Sequence, residues 1–221
     1  GEIDTLAKKW QKALKKLSSK TIVILNADDP TVASLGKKLK AKVIYFGIKD
    51  KSLGTLFLSH ASDATLCPNC LLPLDYHACF VSHLGIYKCK KCGEIQPKTN
   101  IHCLQAKFLK DSSIQAIIKT GTQKHSVKIN VPGTYNIYNL LASFAAASSL
   151  KINIKKIIAG FSEFRPAFGR FEKIKIKNKF LNILLVKNPA GFNEVLKILA
   201  QLAGTKKISL LLVLNDLIAD G

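Results

Sequence analysis

The chain has 221 residues, 48% of them hydrophobic, and a formal net charge of +20 at pH 7. This composition excludes a disordered chain and provides for one large domain or two modest ones around a substantial core. No apolar run reaches the roughly 18 residues that a membrane-spanning helix needs, and no signal-peptide pattern is present, so the sequence predicts a cytoplasmic protein without a membrane span.

The positive charge comes almost entirely from lysine. Of the 34 basic residues only Arg165 and Arg170 are arginine, and the lysines are spread along the whole chain. Nucleic-acid surfaces more often concentrate arginine and interleave it with aromatic residues. The pattern therefore favours a solvated lysine surface, and a nucleic-acid-binding function is kept as the alternative.

The first part of the chain has the alternation of a β-α-β unit. A helical apolar pattern precedes a β-branched run, a polar turn, a second helical pattern and a second β-branched run. Such a unit predicts two neighbouring strands of a parallel sheet. The predicted elements are a helix at 4–17, a strand at 21–25, a helix at 32–40 and a strand at 43–47.

The polar turn after the first strand holds three candidate ligand contacts, Asn26, Asp28 and Asp29. They lie at the carboxyl end of the strand, where parallel sheets place such contacts. The alternative is that Asp28 or Asp29 caps the helix that follows.

Two Cys-x-x-Cys pairs, Cys67-Pro-Asn-Cys70 and Cys89-Lys-Lys-Cys92, are separated by eighteen residues. This spacing predicts a four-cysteine structural zinc site in a small ribbon at 64–99, because two such turns complete a closed tetrahedron of thiolates. Leu71 follows the first pair where glycine is common, which predicts a slightly strained turn. The two other cysteines, Cys79 and Cys103, are predicted to be buried thiols. The five histidines are excluded as metal ligands because four thiolates already fill the coordination shell: His60, His77, His83, His102 and His125.

The second half of the chain continues with strands and helices and ends in a second β-α-β pattern. A new strand pattern after residues 164–171 predicts a domain boundary close to Glu172. The predicted elements are strands at 104–120 and 124–131, helices at 140–150 and 154–161, a strand at 181–186, a helix at 192–203 and a strand at 208–214.

Three motifs together resemble the Mur ligase family. Residues 132–142 resemble the family's Gly-x-His-Asn-x-x-Asn-x-x-Ala motif, with Tyr135 in place of histidine. The Gly-Arg-Phe-Glu at 169–172 resembles the Gly-Arg-x-Glu at the junction of the central and C-terminal domains, and residues 26–30 match a central-domain signature. The cysteine ribbon and the sequences at 187–192 and 219–221 make the chain similar to the MurT-type subunits of that family.

The resemblance implies an α/β fold. Residues 1–172 would be the remainder of a Mur ligase central domain, mainly a parallel sheet with helices, carrying the zinc ribbon at 64–99. Residues 173–221 would begin a Rossmann-like C-terminal domain. The family's Gly-x-x-Gly-Lys-Thr phosphate loop is missing from the sequence, which also has no methionine. We therefore expect a piece of a longer protein that is inactive by itself.

The resemblance also implies an activity for the full-length protein. It would be an ATP-dependent ligase of peptidoglycan synthesis that amidates the α-carboxyl of the D-glutamate in lipid II to isoglutamine. Ammonia would come from a GatD-type glutamine amidotransferase subunit, and the full-length protein would use ATP and magnesium beside the structural zinc. The alternative is a zinc-ribbon protein that binds nucleic acid through its positive charge.

The family motifs imply four nucleotide contacts: Asn136, Arg170, Lys187 and Asn188. An amide side chain suits the edge of adenine, and a guanidinium suits phosphate oxygens. Structural roles stay open for each, namely a helix N-cap for Asn136, an ion pair with Glu172 for Arg170, and an ordinary turn that begins a helix for Lys187 and Asn188.

The resemblance implies one catalytic residue near the end of the chain. Asp220, or Asp216 as the alternative, would complete a Cys-His-Asp triad whose cysteine and histidine belong to the glutaminase partner. For either aspartate, capping of a loop is the structural alternative.

Overall fold

The computed structural model describes residues 2–59, 62–165, 170–204 and 207–213. The first half contains α1 (Glu2–Leu14), β1 (Ile22–Asn26), α2 (Pro30–Leu35), β2 (Lys42–Ile48), β3 (Asp75–Val81), β4 (Leu84–Lys88) and β5 (Ile101–Phe108). The second half contains β6 (Ile114–Thr120), β7 (Gln123–Ile129), α3 (Tyr135–Ser149), α4 (Ile154–Glu163), β8 (Arg170–Ile176), β9 (Lys179–Leu184) and α5 (Pro189–Ala203). None of these helices is both long and apolar enough to cross a membrane.

Five strands form one mixed sheet in the order β1-β2-β5-β6-β7. The β1-β2 pair is parallel, as predicted, and so is β2-β5, whereas β5-β6 and β6-β7 are antiparallel. The expectation of a mainly parallel sheet is therefore wrong. The reason is connection length, because short turns join β5, β6 and β7 and can only return the chain antiparallel, whereas β1 reaches β2 through α2.

The single strand predicted at 104–120 is interrupted by a turn between β5 and β6. Asp111 Oδ1 accepts a hydrogen bond from the Ser113 N–H at 3.1 Å, and Ser112 adopts a φ of +68°. Aspartate and serine favour such side-chain-to-backbone turns. The run Asp111-Ser112-Ser113 was therefore a turn signal inside an otherwise strand-like pattern.

The main core lies between the sheet and α3. Ile114, Ile118 and Val127 of the sheet and Leu141 and Phe144 of α3 are all fully buried in one cluster. The helix begins at Tyr135, five residues before the predicted start, because residues 135–139 form its first turn and already bury Ile137 and Tyr138. Apolar residues occupy most positions of the helix, as expected for a helix that packs against the sheet and against α4.

A smaller core covers the opposite face of the sheet. Along β1, Val23 and Leu25 belong to a cluster with Leu35 of α2, and Leu14 of α1 packs against it. Ile24, between them, packs against the main core instead. Because successive side chains of a strand point to opposite faces, helices cover both sides of the sheet, as the predicted α/β class requires.

The ribbon is inserted between the neighbouring strands β2 and β5. Its strands β3 and β4 form an antiparallel hairpin, and Thr55 makes an isolated β-bridge with Cys79. Ala78 and Phe80 of the hairpin join the main core, so the ribbon is anchored to the sheet. Cys79 and Cys103 are buried, as predicted.

The C-terminal part has the predicted helix but a different strand arrangement. The strand expected at 181–186 is β9, which pairs antiparallel with β8 in a two-stranded hairpin. Residues 207–213, where a parallel strand was predicted, have no regular structure and are exposed, so that prediction is wrong for them, and residue 214 lies outside the described residues. An apolar strand needs a neighbouring strand to satisfy its backbone, and none of the described strands pairs with this segment.

Candidate functional site

The four predicted ligand cysteines meet at one point of the ribbon. The Sγ atoms of Cys67, Cys70, Cys89 and Cys92 all lie within 4.8 Å of one another, and the Cys67–Cys92 and Cys70–Cys89 pairs are each 3.5 Å apart. These separations are far beyond the roughly 2.05 Å of a disulfide. They bracket the roughly 3.8 Å that separates sulfurs around a tetrahedral Zn²⁺ with bonds of about 2.3 Å.

Both cysteine turns have the same backbone hydrogen bonds. The N–H of Cys67 donates to the carbonyl of Leu72 at 2.8 Å, and the N–H of Cys89 donates to that of Glu94 at 2.7 Å. The pKa of Cys92 is lowered to about 6, first by the Asn69 side chain and then by the Glu94 N–H. The pKa of Cys67 is raised by burial, and that of Cys70 is raised to about 12 against the lowering effect of the Leu72 N–H, so the assignment rests on the positions of the four sulfurs. The donor set thus fits a closed structural site that leaves no coordination position for catalysis, and zinc itself stays a prediction.

The strain predicted at Leu71 is present. Leu71 has a φ of +60°, and Gly93, which occupies the matching position of the second turn, has a φ of +74°. Both residues therefore adopt the left-handed conformation that glycine tolerates and leucine does not.

Asp28 lies at the centre of a buried polar network. Its Oδ2 accepts hydrogen bonds from the Ile48 N–H and the Tyr138 hydroxyl, each at 2.8 Å, and the side-chain amide of Gln96 donates to its Oδ1. The side chain is fully buried, and burial raises the pKa of Asp28 to about 7 against the lowering effect of these donors. The network joins β2, α3 and the ribbon, so Asp28 neither faces a ligand nor caps a helix.

Asp29 takes the capping role that the sequence left open. Its Oδ1 accepts from the N–H groups of Thr31 and Val32 at 2.9 and 3.0 Å, at the start of α2. Its Oδ2 lies 3.5 Å from Nε2 of His83, which links α2 to the ribbon hairpin.

A cavity of about 360 Å³ opens beside the start of α3. It is bounded by α3, β7 and the segment that follows α4, and by the beginning of β8. Asn136 lies in its wall, where Nδ2 donates to the Pro132 carbonyl at 2.6 Å and Oδ1 accepts from Asn139 at 3.0 Å. The helix N-cap is Thr134, so capping by Asn136 is excluded. The residues that line the cavity include Asn136, Asn139, Phe161, Phe164, Arg165 and Phe171.

Sequence reasoning missed Arg165 as a cavity residue. It is one of only two arginines in the chain and stands five residues before Arg170, in the segment that crosses to the C-terminal part. The scarcity of arginine was the available signal, because an isolated guanidinium in a lysine-rich chain is typical of a specific contact.

Lys187 and Asn188 lie in a turn that begins a helix, which was the structural alternative for these two residues. Asn188 is the N-cap of α5, where its Oδ1 accepts from the Gly191 N–H at 2.7 Å, and Pro189 occupies the first helical position. Lys187 is exposed, and neither residue lines the cavity. Their role as nucleotide contacts stays a prediction.

Three further predicted residues lie outside the described part of the chain, wholly or by their side chains. Asp216 and Asp220 lie beyond residue 213, the last described residue, and the side chain of Arg170 is not described although its backbone begins β8. The neighbouring Phe171 does line the cavity, so the segment that carries Arg170 reaches it.

The helix α5 packs against two loops, one between β2 and β3 and the other ahead of α3. Nδ2 of Asn193 donates to the Ser59 hydroxyl at 3.0 Å, and Ile198 is buried against Gly133. A Cβ on Gly133 would lie 2.8 Å from Ile198, and the glycine has a φ of +93°, so only glycine fits there. The C-terminal part thus rests next to the loop that positions Asn136.

The fold resembles that of one class of proteins, the Mur-type peptide ligases. The structure resembles that of a pseudomurein peptide ligase type C from Methanothermus fervidus, with a TM-score of 0.65 and 34% identity over 79% of this chain and 33% of that one. The predicted resemblance to the Mur ligase family is thereby confirmed.

Within that class the chain is similar to one particular subunit. Residues 185–221 match the family described as MurT ligase C-terminal. The whole chain is 32% identical to the protein named lipid II isoglutaminyl synthase (glutamine-hydrolyzing) subunit MurT from Streptococcus pneumoniae, of which it covers 47%. It is also 32% identical to the MurT subunit from Staphylococcus aureus strain COL, of which it covers 48%. The chain thus spans about half the length of the curated relatives it matches.

Proposed function

We propose that the chain is the ribbon-bearing part of a MurT-type ligase that amidates the α-carboxyl of D-glutamate in lipid II. The observation that carries the proposal is the similarity to MurT subunits along the whole of the 221-residue chain. The four-cysteine cluster supports it, because the resemblance to MurT-type subunits rests in part on this insertion.

The reaction proceeds through an activated carboxyl group. The γ-phosphoryl group of ATP passes to the α-carboxylate and gives an acyl phosphate and ADP. Ammonia from the glutaminase partner then attacks the carbonyl carbon and forms the C–N bond. The C–O bond to the phosphate breaks, phosphate leaves with its electron pair, and the nitrogen loses one proton, which yields the amide. Holding carboxylate, phosphate and ammonia between two domains supplies proximity, and charged donors stabilise the oxyanions.

The cavity beside α3 is our candidate for the adenine site. Its volume of about 360 Å³ lies at the lower end of the range typical of ligand pockets. Phe161, Phe164 and Phe171 offer apolar walls for a purine ring, and the Asn136 amide can both donate and accept at its edge. Arg165 supplies positive charge at the same cavity, which suits the phosphates of a nucleotide.

Lipid II amidation by the full-length protein tests the proposed function. The assay contains lipid II, ATP, magnesium, glutamine and a GatD-type glutaminase, and mass spectrometry detects the isoglutamine product. We expect product with the full-length protein and none with the 221-residue chain, which has no Gly-x-x-Gly-Lys-Thr loop to hold the phosphates. ATP turnover by the chain alone at a rate typical of a ligase would contradict the proposal.

The nucleic-acid alternative has a separate test. Its premise is the net charge of +20, and binding through such a charge weakens steeply as salt rises. Fluorescence anisotropy with labelled DNA and RNA at two salt concentrations measures it. We expect no micromolar affinity at physiological salt, and the opposite result would favour the alternative.

A further inference from the structure

The ribbon carries exposed leucines around its cysteine cluster. Leu66 is 49% exposed, Leu71 72% and Leu72 44%, and Ile95 after the second cysteine turn is 57% exposed. We call these four residues the ribbon tip. The interior of the ribbon is formed by other side chains, among them the buried Leu74 and Tyr87, which pack with the cysteines. The ribbon tip is therefore not needed to fill the ribbon's own core.

Leu71 is the most informative residue of the ribbon tip because its backbone is strained. Its φ of +60° is unfavourable for leucine, and Gly93 provides the relaxed solution at the matching position of the other turn. Strain in a non-glycine residue points to a function when no packing interaction compensates it. The side chain of Leu71 packs little within the described structure, so it is free to contact a surface that approaches the ribbon tip.

The surroundings of the ribbon tip are positively charged. Residues 66–98 contain four lysines and two acidic residues. Each acid is already paired with a lysine: Asp75 lies 3.2 Å from Nζ of Lys90, and Glu94 pairs with Lys37. Lys90 therefore lies beside the start of β3, which follows Leu72 by three residues, and Lys91 is exposed next to it in the chain. An occupant of the ribbon tip should combine an apolar interior with negative charge at its surface.

We propose that the ribbon tip docks on an anionic lipid surface, with its leucines in the acyl boundary and Lys90 and Lys91 among the headgroups. Leucines beside lysines are the combination that such interfaces accept. Protein hot spots and nucleic-acid surfaces would instead favour tryptophan, tyrosine or arginine, and the ribbon has no arginine or tryptophan and buries Phe80 and Tyr87.

The docking explains how the ligase reaches its substrate, and in this respect it rests on the proposed function. The MurT relatives are named for lipid II, a lipid-linked substrate. An insertion that holds the ligase at the bilayer would raise the local concentration of that substrate, in the way that a second binding site raises effective concentration. The docking itself requires neither ATP nor lipid II, so it can be tested separately.

Co-sedimentation of the 221-residue chain with lipid vesicles tests the proposal. One set of vesicles contains equal amounts of phosphatidylglycerol and phosphatidylcholine, and the other contains phosphatidylcholine alone. We expect partition into the first set only. The double substitution Leu71→Asn and Leu72→Asn should lower the partition coefficient at least about tenfold, and Lys90→Gln with Lys91→Gln about tenfold or more.

Leu150→Asn is the matched control, because Leu150 is 76% exposed at the end of α3 and lies outside the ribbon. It should leave vesicle binding unchanged. Asparagine tolerates the left-handed conformation at position 71, so the double variant should keep its thermal stability and metal content. The proposal is overturned if wild type does not bind the anionic vesicles, or if binding depends on the lysines alone and survives loss of the two leucines. Vesicle binding without lipid II amidation would contradict the proposed function and leave the docking intact.

Discussion

The carboxyl group of Asp28 connects three parts of the molecule that are distant in sequence. Its partners Gln96 and Tyr138 are 68 and 110 residues away, in the ribbon and in α3. A buried carboxyl group with several donors is stable only if every donor keeps its acceptor. Asp28 should therefore control the stability of the fold rather than take part in the chemistry.

Asp28 should make stability depend on pH. Its folded pKa of about 7 lies above the roughly 3.9 of an unfolded aspartic acid, so the folded state binds more protons between these values. Stability should fall as pH rises from about 4 to 7, by up to about 4 kcal/mol, and stay constant above this window. Urea unfolding across this range should show a flatter profile for Asp28→Asn. An unchanged profile in the variant would contradict the assignment.

Gly47 makes room for the same carboxyl group. A Cβ at this position would lie 2.2 Å from Oδ1 of Asp28, whereas a Cβ on Gly160 in α4 would meet nothing within 4 Å. We expect Gly47→Ala to destabilise the fold by about 2–3 kcal/mol through overpacking. Gly160→Ala is the control and should stabilise it by up to about 1 kcal/mol through helix propensity. Urea unfolding of both variants checks this, and equal effects would refute it.

At the scale of elements, the two cysteine turns allow a reciprocal test in which the residue that follows each Cys-x-x-Cys pair is replaced by that of the other turn. Leu71→Gly should relieve backbone strain and stabilise the ribbon by about 1 kcal/mol, while Gly93→Leu should cost about 1–2 kcal/mol. The space around Gly93 is open, so the cost would come from the backbone alone. Thermal unfolding with zinc bound measures both. Destabilisation by Leu71→Gly would show that the leucine packs in a way that its exposure does not reveal.

The elements that the sequence predicts well are those encoded locally. The cysteine spacing, the β1-α2-β2 unit and the cap at Asn188 each depend on residues a few positions apart. The antiparallel direction of β6 and β7 was harder to predict from the sequence, because the turn at Asp111 lies within a strand-like run. The hydrogen-bond network of Asp28 could not be predicted from the sequence, since no local pattern links Asp28 to Gln96 or Tyr138.

At the scale of the whole molecule, the cavity beside α3 should set the affinity for nucleotide. In the full-length protein, Asn136→Ala should raise the KM for ATP about tenfold and change kcat little, because the contact is made equally in ground and transition states. Asn182→Ala, on the exposed side of β9, is the control. Steady-state amidation kinetics provide the measurement. An unchanged KM for Asn136→Ala would show that adenine does not bind at Asn136.

The position of the ribbon has a consequence for how quickly the chain folds. β2 and β5 are adjacent parallel strands, yet about 50 residues separate Ile48 from Ile101. Metal bound to Cys67 and Cys92 closes off roughly half of that connection, which lowers the entropy cost of bringing the strands together by about 0.6 kcal/mol. Refolding from urea, followed in a stopped-flow instrument, should be about threefold faster with zinc than with a chelator. Equal rates would mean that the strands pair before the metal site forms.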